Sequence, residues 1–86
     1  MGKLERYRKK INKINEKIIK LISKRNGVSL KIGEYKKNNN IPVLDLAREK
    51  EVFRKLDELA VKYNVDKKMV RSIFSEIIVG SRKLQK

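Results

Sequence analysis

Four polar side chains stand where this sequence should be apolar. Apolar residues recur every three or four positions through Leu4, Tyr7, Ile11, Ile14, Ile18 and Leu21, and again at Val28, Ile32 and Tyr35. The slot between Leu21 and Val28 holds Arg25. Glu49 sits in the series Leu46, Glu49, Phe53, Leu56. Ser81 follows Val70, Phe74 and Ile77 on one stripe, and Gln85 follows Phe74, Ile78 and Ser81. An inward charge is costly unless it is paired. Taken singly, each has an ordinary explanation: Arg25 and Glu49 could pair with each other, a Ser is tolerated in a helix stripe, and a Gln at a chain end is usually solvated. Together, a cation, an acid, a hydroxyl and an amide facing inward describe the lining of a polar cavity between helices.

Spacing adds a second cation. Arg25 and Lys36 are eleven residues apart, which is three helical turns plus about 20°, so they share a face about 16 Å apart. Two long side chains leaning together can close on one small molecule. Arg8 lies about 25 Å from Arg25 along the same helix and points about a quarter-turn away. It can join that clamp only from a second chain packed antiparallel.

The composition narrows the chemistry. There is no histidine and no cysteine, which removes the commonest metal ligands, disulfides and the usual base near neutral pH. No cofactor or metal is expected. Lys and Arg number 24 against 10 Asp and Glu, a net charge of +14, which attracts anions. Much of that charge is the ordinary dress of exposed helix faces. No apolar run reaches the length of a membrane span, and the first twenty residues are charged rather than signal-like. A cytoplasmic protein without a membrane partner is expected. At 86 residues the chain is one domain, 1–86, with a modest core, for which a second copy is a natural partner.

The fold that must position these residues is all-α. The 3-4 period runs from about Leu4 to Lys36, a helix about 50 Å long. That exceeds what a compact monomer of this size needs. Gly27 or Gly33 could break it, but the apolar register continues through both. "KKNNNIPV" is turn chemistry. Asp45 caps a second helix, about 46–63, with an apolar face of Leu46, Phe53, Leu56, Ala60 and Tyr63. "NVD" follows, and Asp66 caps a third helix, about 67–84, carrying Val70, Ile73, Phe74, Ile77, Ile78 and Leu84. The spacing of Gly27 and Gly33 does not make a phosphate loop.

Nearly the whole chain, Leu4 to Gln85, resembles the helical (AroQ-type) chorismate mutases. The resemblance runs through Arg8, Ile11 and Ile14; "KIIKLISKR" ending at Arg25; "IGEYK" ending at Lys36; "PVLDLAREKEVF" with Asp45, Arg48 and Glu49; and "IFSEIIVGSRKLQ" with Ser81 and Gln85. It implies an intertwined antiparallel homodimer of one long and two shorter helices per chain. Each of its two sites would be completed by an arginine of the other copy. It implies rearrangement of chorismate to prephenate, on the way to phenylalanine and tyrosine. Arg25 and the other copy's Arg8 would hold the substrate's two carboxylates, with Ser81 assisting. Asp45 and Glu49, with Arg48 nearby, would position the ring hydroxyl. Lys36 and Gln85 would donate to the ether oxygen. Such domains are often fused to other shikimate-pathway enzymes. An intramolecular rearrangement needs no nucleophile, metal or proton shuttle, so the missing Cys and His are no handicap.

Three other readings compete. Isochorismate-pyruvate lyases share the architecture but tend to lack the Asp45, Arg48, Glu49 arrangement. A basic helical nucleic-acid-binding protein would explain the charge but not the inward Glu49, Ser81 and Gln85, and "KKNNNIPVL" is a poor turn for a helix-turn-helix reader. A plain antiparallel coiled-coil dimer would use Arg25 to set register. The mutase reading, without a nucleic-acid partner, accounts for the most residues.

Overall fold

The computed structural model describes residues 2–86, and among these it is all helix and turn. Helix α1 spans Lys3–Asn38, α2 Leu46–Lys62 and α3 Lys67–Gln85. Neither Gly27 nor Gly33 interrupts α1. Lys36 and Lys37 in its last turn complement the helix dipole. Asn39 and Asn40 stop it. The Asn39 side chain donates to the Tyr35 carbonyl at 2.8 Å. Asn40 takes a left-handed φ of 55°, and the Ile41 N–H then reaches back to the Lys36 carbonyl at 2.8 Å, closing the last turn.

The two aspartates do what their positions predict. Asp45 accepts from the Arg48 N–H at 3.0 Å and Asp66 from the Met69 N–H at 2.9 Å, each satisfying a helix-start donor. Between α2 and α3, Asn64 supplies a second left-handed residue, and the chain reverses within four residues.

The helices run up, down, up. Glu49 meets Arg82 and Asp57 meets Arg71, so α3 lies antiparallel to α2. Arg25 meets Ser81 and Gly33 meets Gln85, so α3 lies parallel to the second half of α1. Helix α3 packs against both others, while α1 and α2 do not pack on each other. Their separation opens a cleft on one side of α3.

The rod outruns its partners. The molecule measures 57 × 24 × 16 Å and its radius of gyration is 16.4 Å, against about 12 Å for a compact chain of this length. Only Leu56, Ala60 and Ile78 are buried apolar side chains among the described residues, and none is wholly sealed from solvent. Leu4, Tyr7, Ile11, Ile14, Ile18 and Leu21 are each at least 50% exposed, an apolar stripe of the kind that marks an interaction surface. Leu46 and Tyr63, expected on the inner face of α2, are 64% and 66% exposed. They sit at its two ends.

A two-pronged ion pair ties α2 to α3. Arg71 donates from Nε and Nη2 to the two Asp57 oxygens at 2.9 and 2.7 Å, and its guanidinium lies over the Phe53 ring. Those hydrogen bonds hold the Asp57 carboxyl below its ordinary value of 3.8. A depressed carboxyl contributes stability that is complete above its unfolded value and is lost as pH falls through the folded one. Asp57→Asn should therefore flatten part of the loss of stability below that pH, as read by urea unfolding at several pH values. An acid profile unchanged by the substitution would contradict the linkage.

Candidate functional site

The cleft left by α1 and α2 is about 390 Å³, the size of a small-molecule site. Helix α1 lines it with Arg25, Val28, Ser29, Ile32 and Lys36. The connecting segment adds Val43 and Asp45, and α2 adds Arg48, Glu49 and Val52. From α3 come Ile78, Ser81, Arg82 and Gln85. Seven of the eight residues singled out in the sequence thus meet here. Arg8 does not: it is 66% exposed on the projecting half of α1, with Glu5 at 3.9 Å.

Close packing sets the register. Ser29 and Gly33 are one turn apart on α1 and both are buried. A Cβ on Gly33 would stand 2.7 Å from the Gln85 Cα and 2.9 Å from its carbonyl oxygen. Only a glycine lets the last turn of α3 approach so closely. Nothing crowds Gly27. Gln85, expected to be loose at the end of its helix, is thereby seated on α1.

Two pairs of side chains follow from that seat. Arg25 Nη1 donates to Ser81 Oγ at 2.6 Å. Lys36 Nζ donates to the Val43 carbonyl at 2.9 Å and to Gln85 Oε1 at 3.0 Å. The second contact occupies the amide's only acceptor, so Gln85 keeps both NH₂ hydrogens for a ligand. Lys36 has one N–H left over. Two directed donors therefore stand at one end of the cleft, and a guanidinium steadied by a hydroxyl stands further along.

The acids are arranged differently from one another. Asp45 spends one oxygen on its helix cap. Glu49 does not pair with Arg25; its Oε2 lies 3.3 Å from Arg82 Nε. Arg48 borders the cleft, but its guanidinium turns outward to Glu51 at 3.6 Å. Arg82 is the residue that sequence reasoning passed over. Its helical phase, about 60° from Gln85, was the available signal. Ser81, not Arg82, interrupts the apolar stripe. Four cationic side chains and two carboxylates line the cleft, a surplus that suits a doubly ionised small anion.

Residues 7–86 match the model of the family described as chorismate mutase type II. The chain belongs to that family. It is 38% identical over 84 residues to a chorismate mutase of Methanocaldococcus jannaschii, covering 98% of this chain and 85% of that one. It is also 38% identical over 80 residues to a bifunctional chorismate mutase/prephenate dehydratase of Buchnera aphidicola, covering 93% of this chain but only 21% of the relative. Among solved structures, a conserved hypothetical protein from Pyrococcus furiosus superposes with a TM-score of 0.81 at 35% identity, over 100% of this chain and 99% of that one. Family membership thus extends over all three helices and the cleft between them. Chorismate mutase relatives occur both as stand-alone chains and as part of longer bifunctional ones.

The Gly33 contact can be tested on stability alone. Alanine favours helix by up to about 1 kcal/mol over glycine, while forcing a methyl into a packed site costs about 1–3 kcal/mol. Gly33→Ala should lower the unfolding free energy and speed amide exchange in the last turn of α3. A more stable variant would show that the approach is looser than described.

Proposed function

We propose that this protein is a chorismate mutase working at the cleft between α1, α2 and α3. The single observation that carries this reading is the convergence of Arg25 with Ser81 and of Lys36 with Gln85 on one cleft, in a chain of this family. The cleft's positive surplus matches a substrate with two carboxylates. In the reaction the ether C–O bond breaks as a new C–C bond forms within the same molecule. The uncatalysed barrier has two parts that such a cleft can lower. The flexible side chain must fold over the ring, and Arg25 with Ser81 at a carboxylate favours that compact shape. Negative charge gathers on the ether oxygen as its bond breaks, and the free N–H groups of Lys36 and Gln85 are set to meet it. Asp45 and Glu49, with Arg48 beside them, orient the ring hydroxyl. No proton moves and no covalent intermediate forms.

The second carboxylate is held by Arg8 of another copy. Arg8 is far from its own cleft, and the apolar stripe beside it is uncovered. An antiparallel partner covers the stripe and delivers the guanidinium in the same step. The working unit is then an intertwined homodimer with two shared sites, and a fused partner domain, as in the bifunctional relatives, would be an addition to it. The reading also places the protein in the cytoplasm. Among the described residues no helix is long and apolar enough to cross a membrane.

Two experiments test this reading. Arg8→Ala and Arg25→Ala should each lower turnover of chorismate by about a hundredfold or more, the scale of losing one preorganised donor. Refolded together in equal amounts, they should recover roughly a quarter of parental activity, because in a symmetric dimer half the mixed sites are intact in half the molecules. A mixture no more active than its components would refute the shared site. Gln85→Glu should make turnover strongly acid-favoured, because a carboxyl donates only when protonated and Lys36 beside it favours the ionised form. A flat pH–rate profile in that variant would remove Gln85 from the ether oxygen.

A further inference from the structure

Glu49 is the acid whose aim the proposed site depends on, and nothing on its own helix holds it. Arg48, its neighbour, is turned to Glu51. Arg25 and Lys36 are engaged with Ser81, Val43 and Gln85. The cation at Glu49 is Arg82 of α3, with Nε 3.3 Å from Oε2.

This pair is unlike the exposed pairs elsewhere on the molecule. The Glu49 side chain is 21% exposed. Arg82 Nε is buried and makes no hydrogen bond, because its N–H is not aligned on the nearby carboxylate. A buried N–H without an acceptor is costly. A carboxylate oxygen is nevertheless only 3.3 Å away, and site contacts that are loose in the free enzyme commonly tighten around substrate. Arg82 further forms a wall: it lines both the main cleft and a second hollow of about 280 Å³ bounded by Val43, Leu44 and Val79.

We propose that Arg82 is a positioning residue that holds the Glu49 carboxylate with its other oxygen turned to the ring hydroxyl of the substrate, completing its own Nε hydrogen bond as the cleft fills. This rests on the reading of the cleft given above. Without Arg82, Glu49 is free to change rotamer and presents an unbalanced negative charge to a dianionic substrate. Where Glu49 carries no charge, Arg82 has little left to position.

The test is a double-mutant cycle in the full chain, with kcat/KM for chorismate and thermal unfolding measured on each variant. Arg82→Met, which keeps the bulk of the wall, should lower kcat/KM roughly tenfold, within the coupling range of contacting residues. Arg82→Lys should retain most of the activity. In a Glu49→Gln background, Arg82→Met should change kcat/KM little. An equal loss in both backgrounds, or no loss in a folded Arg82→Met protein, overturns the proposal. If Arg82→Met melts below the assay temperature, Arg82→Gln carries the same comparison. If Glu49→Gln alone leaves kcat/KM unchanged, Glu49 does not orient substrate, and the role of Arg82 falls with it. If Glu49→Gln is impaired but the two losses simply multiply, Arg82 alone is misassigned and the cleft stands.

Discussion

The site depends on one steric fact: the backbone of Gln85 rests where a side chain at position 33 would be. With Ser29 and Gly33 as the buried residues of α1, α3 can approach closely along one narrow track. That track determines which α3 residues face the cleft. It seats a terminal helical turn that would otherwise fray, and it brings an amide within 3.0 Å of Lys36. A wider approach would leave the same side chains present but out of reach of one another.

Charge is distributed around that seat with a clear division of labour. Lysines on the exposed faces account for most of the net charge and meet water. Inside the cleft Arg25 is steadied by a hydroxyl and Lys36 by a backbone carbonyl and an amide, while Arg82 stands beside a carboxylate. In the proposed reaction such steadying would matter, because a preorganised donor stabilises developing charge without reorganising when the bond breaks. The pairs on the outside, such as Arg54 with Glu58, are of the kind that contribute little to stability.

The same chain is short of core. Three buried apolar side chains are few for 86 residues, and an uncovered apolar stripe occupies the first half of α1. Covering such a side chain contributes about 1.5–3 kcal/mol, so the six residues from Leu4 to Leu21 represent a large unspent driving force. A second copy laid along the stripe uses that force. In the proposed dimer, stability and completion of the site would then be one event, since Arg8 lies on the same half of α1, beside the stripe.

The elements were legible in the sequence because their causes are local. Period 3-4, the caps at Asp45 and Asp66, and the asparagine turns each act within a few residues, and the three helices follow from them. Arg25, Glu49, Ser81 and Gln85 were visible as breaks in apolar stripes, and Lys36 from its phase against Arg25. What could not be read was which of these groups touch. The periodicity allowed Arg25 to pair with Glu49; the packing of α3 between α1 and α2 gives Arg25 to Ser81 and Glu49 to Arg82. Gly33 looked like a weak point in a helix and proved to be a contact surface. Arg82 looked like one more basic residue and stands inside the cleft. Spacing along a helix specifies direction, which is a property of one segment. Distance between segments depends on how closely their backbones approach, and only the folded arrangement of all three helices decides that.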